Sequence, residues 1–177
     1  MTLFDTHAHY YDEKFGSDSE RRKVIGKIRQ AGVKYVINAG TNPDSSRLSL
    51  ALADEYDGFY AAVGLHPEDI FDISDPEAAF SEIRKLAASE KAVAVGEIGL
   101  DYHWHGEPSE RELQKYWFSR QLELACELGY PVVVHDRDAH GDCLETVMKF
   151  PEARGVFHSF SGSPETAREL VKLGWHI

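Results

Sequence analysis

The sequence predicts an α/β protein with a parallel sheet, interpreted as an incomplete TIM-type (β/α)8 barrel of about six βα units plus the start of strand 7. Short apolar runs alternate with longer segments of helical periodicity, which is typical of repeated βα units. No linker divides the 177 residues, and 42% hydrophobic with 28% charged content indicates one globular domain. The predicted strands cover residues 3–9, 34–40, 59–65, 92–98, 131–135 and 155–158, with 175–177 opening a seventh.

Helices are predicted between these strands. Segment 17–31 places apolar residues at helical spacing. Ser109 with Glu112 has the form of a capping box, and Ser163 followed by Pro164 has the form of an N-cap and first helical residue. Periodicity alone does not separate a barrel from an open doubly wound sheet. Glycines that are expected to end helices are Gly32, Gly129 and Gly174.

Polar side chains at the predicted strand ends favour the barrel, because the chemistry of parallel βα folds collects at the C-terminal ends of strands. The first strand ends in His7 and His9, which are two residues apart and should face the same side, together with Asp5. The remaining candidates are Glu97 at the end of the fourth strand, His135 at the fifth, His158 at the sixth and His66 after the third.

Charge and cysteine content limit the function. A net charge of -11 argues against a broad basic surface for nucleic acid, but bound divalent cations can supply positive charge locally for a phosphate substrate. Cys126 and Cys143 lack metal-binding spacing and are interpreted as reduced thiols. No secretion signal and no apolar run of about 18 residues is present, so we expect a cytoplasmic protein without membrane association.

The polar set predicts a metal centre. A single histidine at a strand end is usually a hydrogen-bonded side chain, whereas His7, His9, His135 and His158 together with Glu97 would converge on one barrel mouth. Imidazole and carboxylate ligands suit Zn²⁺, Mn²⁺ or Fe²⁺, and favour Mg²⁺ less. Since the two oxygens of a carboxylate can bridge two ions, we expect two divalent metal ions sharing Glu97.

The segments DTHAH, GLHP, GEIGLDY, PVVVHDR and FHSFSG, in this order, resemble the TatD family of metal-dependent deoxyribonucleases, and the likeness covers the whole chain. The resemblance implies that His7 and His9 bind one ion, His135 and His158 a second, and Glu97 both. It also implies hydrolysis of phosphodiester bonds in DNA, acting exonucleolytically on strand ends.

The family pattern extends further than this sequence. A member would continue through a seventh and an eighth strand, and the eighth would carry an aspartate ligand. Because a (β/α)8 barrel typically needs about 250 residues, residues 1–177 are expected to form a single partial barrel domain without that ligand. We therefore expect doubtful activity for the isolated chain, and self-association through exposed sheet edges.

Further candidates surround the predicted centre. His66 and Arg137 are catalytic candidates beside Glu97, since an imidazole can donate to a phosphate oxygen and a guanidinium can bind phosphate through two hydrogen bonds. Each has a simpler alternative, a polar turn residue for His66 and a surface salt bridge for Arg137. Weaker candidates are an anion-binding turn of Ser159, Ser161 and Gly162, and a base-stacking loop of Tyr102, His103, Trp104 and His105, in which His103 and His105 are expected to be solvent-exposed.

Two alternatives to the nuclease remain. An amidohydrolase acting on a cyclic amide or ester would use a similar H-x-H barrel, but many such enzymes are expected to carry a bridging lysine where this chain has Glu97. A non-catalytic metal-binding remnant, acting through another chain, is the third interpretation.

Overall fold

The computed structural model describes residues 2–177. Its six strands are all parallel and pair in sequence order, β1-β2-β3-β4-β5-β6. The strands are β1 (Leu3–Ala8), β2 (Val33–Ala39), β3 (Phe59–Val63), β4 (Ala92–Asp101), β5 (Val132–Arg137) and β6 (Gly155–Phe157). The helices between and after them are α1 (Asp18–Gln30), α2 (Pro43–Glu55), α3 (Pro76–Leu86), α4 (Pro108–Leu128), α5 (His140–Val147) and α6 (Pro164–Lys172).

The sheet is strongly curled. Neighbouring strands lie about 4.8 Å apart, so the first and sixth strands of a flat sheet would be about 24 Å apart. Here the rings of His7, on β1, and His158, directly after β6, stack with centroids 3.7 Å apart. The strands pair in sequence order, and the sheet curls until its first and last strands approach each other. Both features are those of a barrel, so the predicted barrel-type α/β fold is confirmed and an open doubly wound sheet is excluded.

Small side chains on the concave side of the sheet permit the tight curl. Ala39, Ala62, Ala94 and Val133 form a buried cluster, one residue from each of four successive strands. The alternate residues, such as Ala61 and Val63, pack with the helices in a larger core. The alternation of strand side chains between the two faces therefore separates an inner layer from an outer one.

The capping residues agree with the prediction at the start of α6 and differ from it at the start of α4. Ser163 accepts a hydrogen bond from Thr166 N ahead of Pro164, as predicted. The predicted capping box at Ser109 and Glu112 is wrong, because α4 begins at Pro108 and its box joins Glu107 and Glu110. Proline fits the first helical position because its fixed φ is that of a helix. The backbone N–H that proline lacks would have no acceptor within the helix at this position.

Two strand boundaries also differ from the prediction. The fourth strand does not end at Glu97 but continues to Asp101, so Glu97 lies in its interior. In place of a seventh strand, His176 makes one parallel bridge to Val156, with backbone hydrogen bonds on both sides. Within residues 2–177, no helix combines the length and apolar character needed to cross a bilayer.

Candidate metal centre

One buried carboxylate, Glu97, lies at the centre of five histidines. It is 3% exposed, and its two oxygens face different imidazoles. Oε2 is 3.3 Å from His7 Nε2 and 3.6 Å from His9 Nε2. Oε1 faces the remaining three nitrogens, His135 Nδ1 at 3.0 Å, His158 Nε2 at 3.2 Å and His66 Nε2 at 3.6 Å. The structure therefore brings together all five proposed ligands and also His66.

Two glycines beside Glu97 let strands β4 and β5 approach closely. A Cβ at Gly96 would lie 2.7 Å from the Cβ of Val133, and a Cβ at Gly99, where φ is +142°, would overlap the backbone oxygen of His135. The pairing register is irregular between Val95 and Ile98, which is the stretch that carries Glu97. Side chains at either glycine would separate the two strands that position Glu97 and His135.

The two histidines of β1 converge on one point. His7 Nε2 and His9 Nε2 are 2.9 Å apart, and both face Glu97 Oε2. His9 Nδ1 donates to the backbone oxygen of Ala39 at 2.8 Å, which leaves its Nε2 lone pair directed at the centre. Tyr11 donates to the same carbonyl at 2.9 Å, and burial raises the pKa of Tyr11 to about 12, so it remains a donor.

A second carboxylate, Asp101, orients His135. Its Oδ2 accepts from His135 Nε2 at 2.9 Å, and its Oδ1 accepts from the backbone N–H groups of His103 and Trp104 at 3.0 and 3.1 Å. Asp101 is fully buried. A carboxylate that holds one ring nitrogen of a histidine fixes the tautomer and leaves the other nitrogen to a metal. Sequence reasoning missed Asp101, although it lies within the GEIGLDY segment.

Two buried glutamines of α4 support the strand ends. Gln114 Oε1 accepts from Asp101 N at 2.7 Å, and its Nε2 donates to Asp101 O at 3.0 Å. Gln121 makes the same pair of bonds with Leu65, at 2.7 and 3.0 Å. Leu65 precedes His66, so one helix face secures the backbone next to two residues of the centre. Neither glutamine was singled out from the sequence.

The charge states follow from these contacts. Burial opposes ionisation of Glu97, but hydrogen bonds led by those from His135 and His158 outweigh it and hold the pKa of this carboxyl far below its ordinary value. Burial likewise opposes protonation of His135, yet Glu97 and Asp101 together raise the pKa of its imidazole. The centre thus combines an ionised Glu97 with one imidazole, His135, whose protonated form the two carboxylates favour, whereas burial lowers the pKa of His9.

The donor set fits divalent cations. His7, Glu97 and His158 each offer one ligand atom, and these atoms lie within 4.8 Å of one another. His66, Glu68 and His135 satisfy the same criterion. His66 Nδ1, however, accepts from Glu68 N at 3.2 Å, so the proton of a neutral ring is on Nε2, which faces Glu97. His66 is therefore better suited to donate than to ligate.

The other predicted residues lie around the rim. Arg137 is exposed, and its guanidinium carbon is 5.6 Å from the ring centroid of Trp104. Within residues 2–177, no carboxylate forms an ion pair with Arg137. Asp5 accepts a hydrogen bond from His7 N at 3.3 Å. His103 is exposed as expected, whereas the ring of His105 is stacked on Phe71 with centroids 3.9 Å apart. The predicted anion-binding residues Ser159, Ser161 and Gly162 precede α6, and this role remains a prediction.

Comparison with known proteins agrees with the motifs. The family model for TatD-related DNases matches residues 4–177. An uncharacterised metal-dependent hydrolase, YabD of Bacillus subtilis (strain 168), is 38% identical over 178 residues, covering 99% of this chain and 67% of the relative. A protein named 3'-5' ssDNA/RNA exonuclease TatD, from Cronobacter sakazakii, is 35% identical over 180 residues, covering 99% of this chain and 65% of the relative.

Solved structures give the same result. The TatD homologue YjjV of Escherichia coli K12 superposes with a TM-score of 0.83 at 31% identity, covering 98% of this chain and 66% of that one. A TatD family hydrolase of Entamoeba histolytica has a TM-score of 0.86 at 22% identity, covering 99% of this chain and 64% of that one, which supports the fold alone. The chain spans about two thirds of the length of these relatives. It belongs to the TatD-related DNase family.

Proposed function

We propose that this chain contributes most of a two-metal centre that hydrolyses phosphodiester bonds. The observation that carries the proposal is the division of the histidines between the two oxygens of Glu97. His7 and His9 face Oε2, whereas His135 and His158 face Oε1. A carboxylate with a separate pair of imidazoles on each oxygen has the arrangement of a ligand shared by two cations.

The residues have distinct roles in this proposal. His7, His9 and Glu97 would hold one divalent ion, and His135, His158 and Glu97 the other. When bound, such ions supply Lewis-acid polarisation of a phosphoryl group and a nucleophile at neutral pH. The nitrogen-rich donor set favours Zn²⁺ or Mn²⁺ over Mg²⁺.

Groups of the chain around these ligands would bind and orient the substrate. His66 Nε2 points into the centre and would donate a hydrogen bond to a phosphate oxygen. Arg137 lies two residues after His135 on β5, and its guanidinium would bind a phosphate through two parallel hydrogen bonds. Asp101 keeps His135 oriented throughout.

The proposed substrate is the end of a DNA strand, cleaved exonucleolytically. Relatives of this chain carry the name 3'-5' ssDNA/RNA exonuclease, which supports an unpaired strand end as the substrate. The chain carries a formal net charge of -11, so phosphate binding would depend on the bound cations and on Arg137. The alternative, an amidohydrolase acting on a small cyclic amide or ester, predicts bound metal without shortening of an oligonucleotide.

The test combines metal content with turnover. The purified chain is analysed for metals by mass spectrometry and incubated with a 5'-labelled single-stranded oligonucleotide, with Mn²⁺ or with chelator. The nuclease proposal requires shortening from the 3' end that chelator abolishes, and close to two metal equivalents per chain. Bound metal without shortening is the result expected of a non-catalytic metal-binding remnant. Glu97→Gln keeps the shape of the side chain but removes the shared charge, so it should lose both metal and activity. An unshortened oligonucleotide in Mn²⁺ would refute nuclease activity for this chain.

The proposal also includes self-association at the open side of the sheet. Within residues 2–177, β1 pairs with β2 alone, and Phe4 and Tyr35 beside this edge are 54% and 45% exposed. A strand edge with exposed aromatic residues is a template for pairing with another chain. Light scattering should show concentration-dependent dimers that Phe4→Lys weakens, and a monomer at all concentrations would contradict this.

A further inference from the structure

We propose that Trp104 and Arg137 form a binding site for one unpaired nucleotide at the rim of the metal centre, with the base stacked on the indole and the adjoining phosphate on the guanidinium. This inference rests on the proposed nuclease function and names the residues that recognise its substrate. It concerns a contact that precedes the reaction, so binding tests it without turnover.

The turn after β4 contains four ring side chains, and the structure gives three of them other partners. Tyr102 donates from its hydroxyl to Asp142 at 2.6 Å. His103 Nδ1 lies 3.2 Å from an Asp138 oxygen, and His105 is stacked on Phe71. The Trp104 ring meets the His103 ring edge-on, with centroids 4.6 Å apart, and 60% of its surface stays exposed.

Such exposure is unusual for this residue type in this chain. Of the three tryptophans, Trp117 is 4% exposed and Trp175 is 3% exposed. A single exposed apolar side chain is not by itself a binding site, so the position of Trp104 beside Arg137 carries the inference. An indole face is the side-chain surface on which nucleobases stack.

The backbone that carries the indole is joined to the centre by hydrogen bonds. Trp104 N donates to Asp101 Oδ1 at 3.1 Å, and the other oxygen of the same carboxylate holds His135 at 2.9 Å. The turn is also joined to β5, because Tyr102 N donates to Arg137 O at 2.9 Å. The backbone of Trp104 is therefore held at a fixed position relative to His135, which keeps the indole at the rim of the centre.

Arg137 adds the charge that a nucleotide requires. Its guanidinium carbon is 5.6 Å from the Trp104 ring centroid, and its position on β5, two residues after His135, places both on one face of the strand. No carboxylate within residues 2–177 forms an ion pair with it. An aromatic face with an adjacent free guanidinium matches a base with its phosphate, as in single-strand binding proteins.

Fluorescence tests this site directly, since Trp104 is the exposed indole. The full chain is titrated with a single-stranded oligonucleotide whose terminal linkages are phosphorothioates, in Mn²⁺ and again in chelator. We expect quenching of the exposed indole, and a loss of affinity of about tenfold in Trp104→Leu, as expected for one base–aromatic stack. Trp104→Phe should lose less than threefold because it keeps a ring.

The matched control is Tyr116, an exposed aromatic residue of α4 whose ring centroid is also 5.6 Å from an arginine, Arg120. Tyr116→Leu should leave binding unchanged.

An oligonucleotide with an abasic 3' terminus should bind wild type and Trp104→Leu equally. Arg137→Ala should weaken the binding of both the intact and the abasic oligonucleotide, and Arg137→Lys should recover part of it. Equal affinity of wild type and Trp104→Leu for the intact oligonucleotide overturns the site. Loss of cleavage with unchanged quenching would instead count against the nuclease activity alone.

Discussion

Replacement of Asp101 by asparagine should weaken metal binding without unfolding the chain. The carboxylate is fully buried and accepts from His135 Nε2 at 2.9 Å, so His135 presents Nδ1 to Glu97 and to a metal. Asparagine has the same shape but offers an N–H₂ group to Nε2. That contact favours the tautomer with its proton on Nδ1, which is the atom required for ligation.

The magnitude follows from the bond that is lost. A buried hydrogen bond to a charged group contributes about 1.5 to 3 kcal/mol, which corresponds to about 10- to 150-fold in affinity. Loss of a carboxylate partner of a ligating histidine typically costs about 10- to 100-fold in metal affinity. We therefore expect Asp101→Asn to raise the dissociation constant of the ion bound by His135 by between one and two orders of magnitude.

Competition with a chromogenic chelator measures this constant, and circular dichroism verifies the fold. Asp138→Asn is the control, because Asp138 is an exposed carboxylate that pairs with His103 in the neighbouring turn at 3.2 Å without contacting His135. A dissociation constant for Asp101→Asn within twofold of wild type would show that Asp101 does not orient the ligand.

Three further predictions concern stability. Mn²⁺ at about 100 times its dissociation constant should raise the free energy of unfolding by about 2.7 kcal/mol in thermal melts, and Glu97→Ala should abolish the rise. Gln114→Leu leaves the buried N–H and oxygen of Asp101 without partners and should lower the free energy of unfolding by about 1 to 3 kcal/mol in urea, whereas the exposed Glu123→Gln should change it by less than about 0.5 kcal/mol. Glu97 and Asp101 raise the pKa of His135 against the effect of burial, so its stabilisation is present below the unfolded value of about 6.5 and is lost as the pH rises through the folded pKa. In chelator, the stability difference between wild type and His135→Asn should therefore shrink above about pH 6.5, and a difference that grows would contradict this assignment.

The convergence of the histidines could be predicted from sequence because it depends on local rules. Strand periodicity places His7 and His9 on one side, and parallel strands bring their C-terminal ends to one edge. Those rules hold for His135 and His158 as well, although they come from strands far apart in the chain. The observed contacts with Glu97 agree with that reasoning.

The supporting residues could not be predicted because their partners are distant backbone groups. Gln121 bonds Leu65, which is 56 positions away, and no local pattern indicates that contact. Asp101 was overlooked because the fourth strand was expected to end at Glu97. The close approach of Gly96 and Gly99 to β5 lets the strand continue, and it carries Asp101 to His135.

The spacing of the two buried glutamines gives helix α4 an unusual constraint. Gln114 and Gln121 are seven residues apart, almost two full helical turns, and each is matched to the end of a different strand. Inserting or deleting one residue between them would rotate one amide by about 100° away from its strand. Over evolution, length changes in this region should therefore collect in the loops before and after α4, while the interval between the glutamines keeps its length.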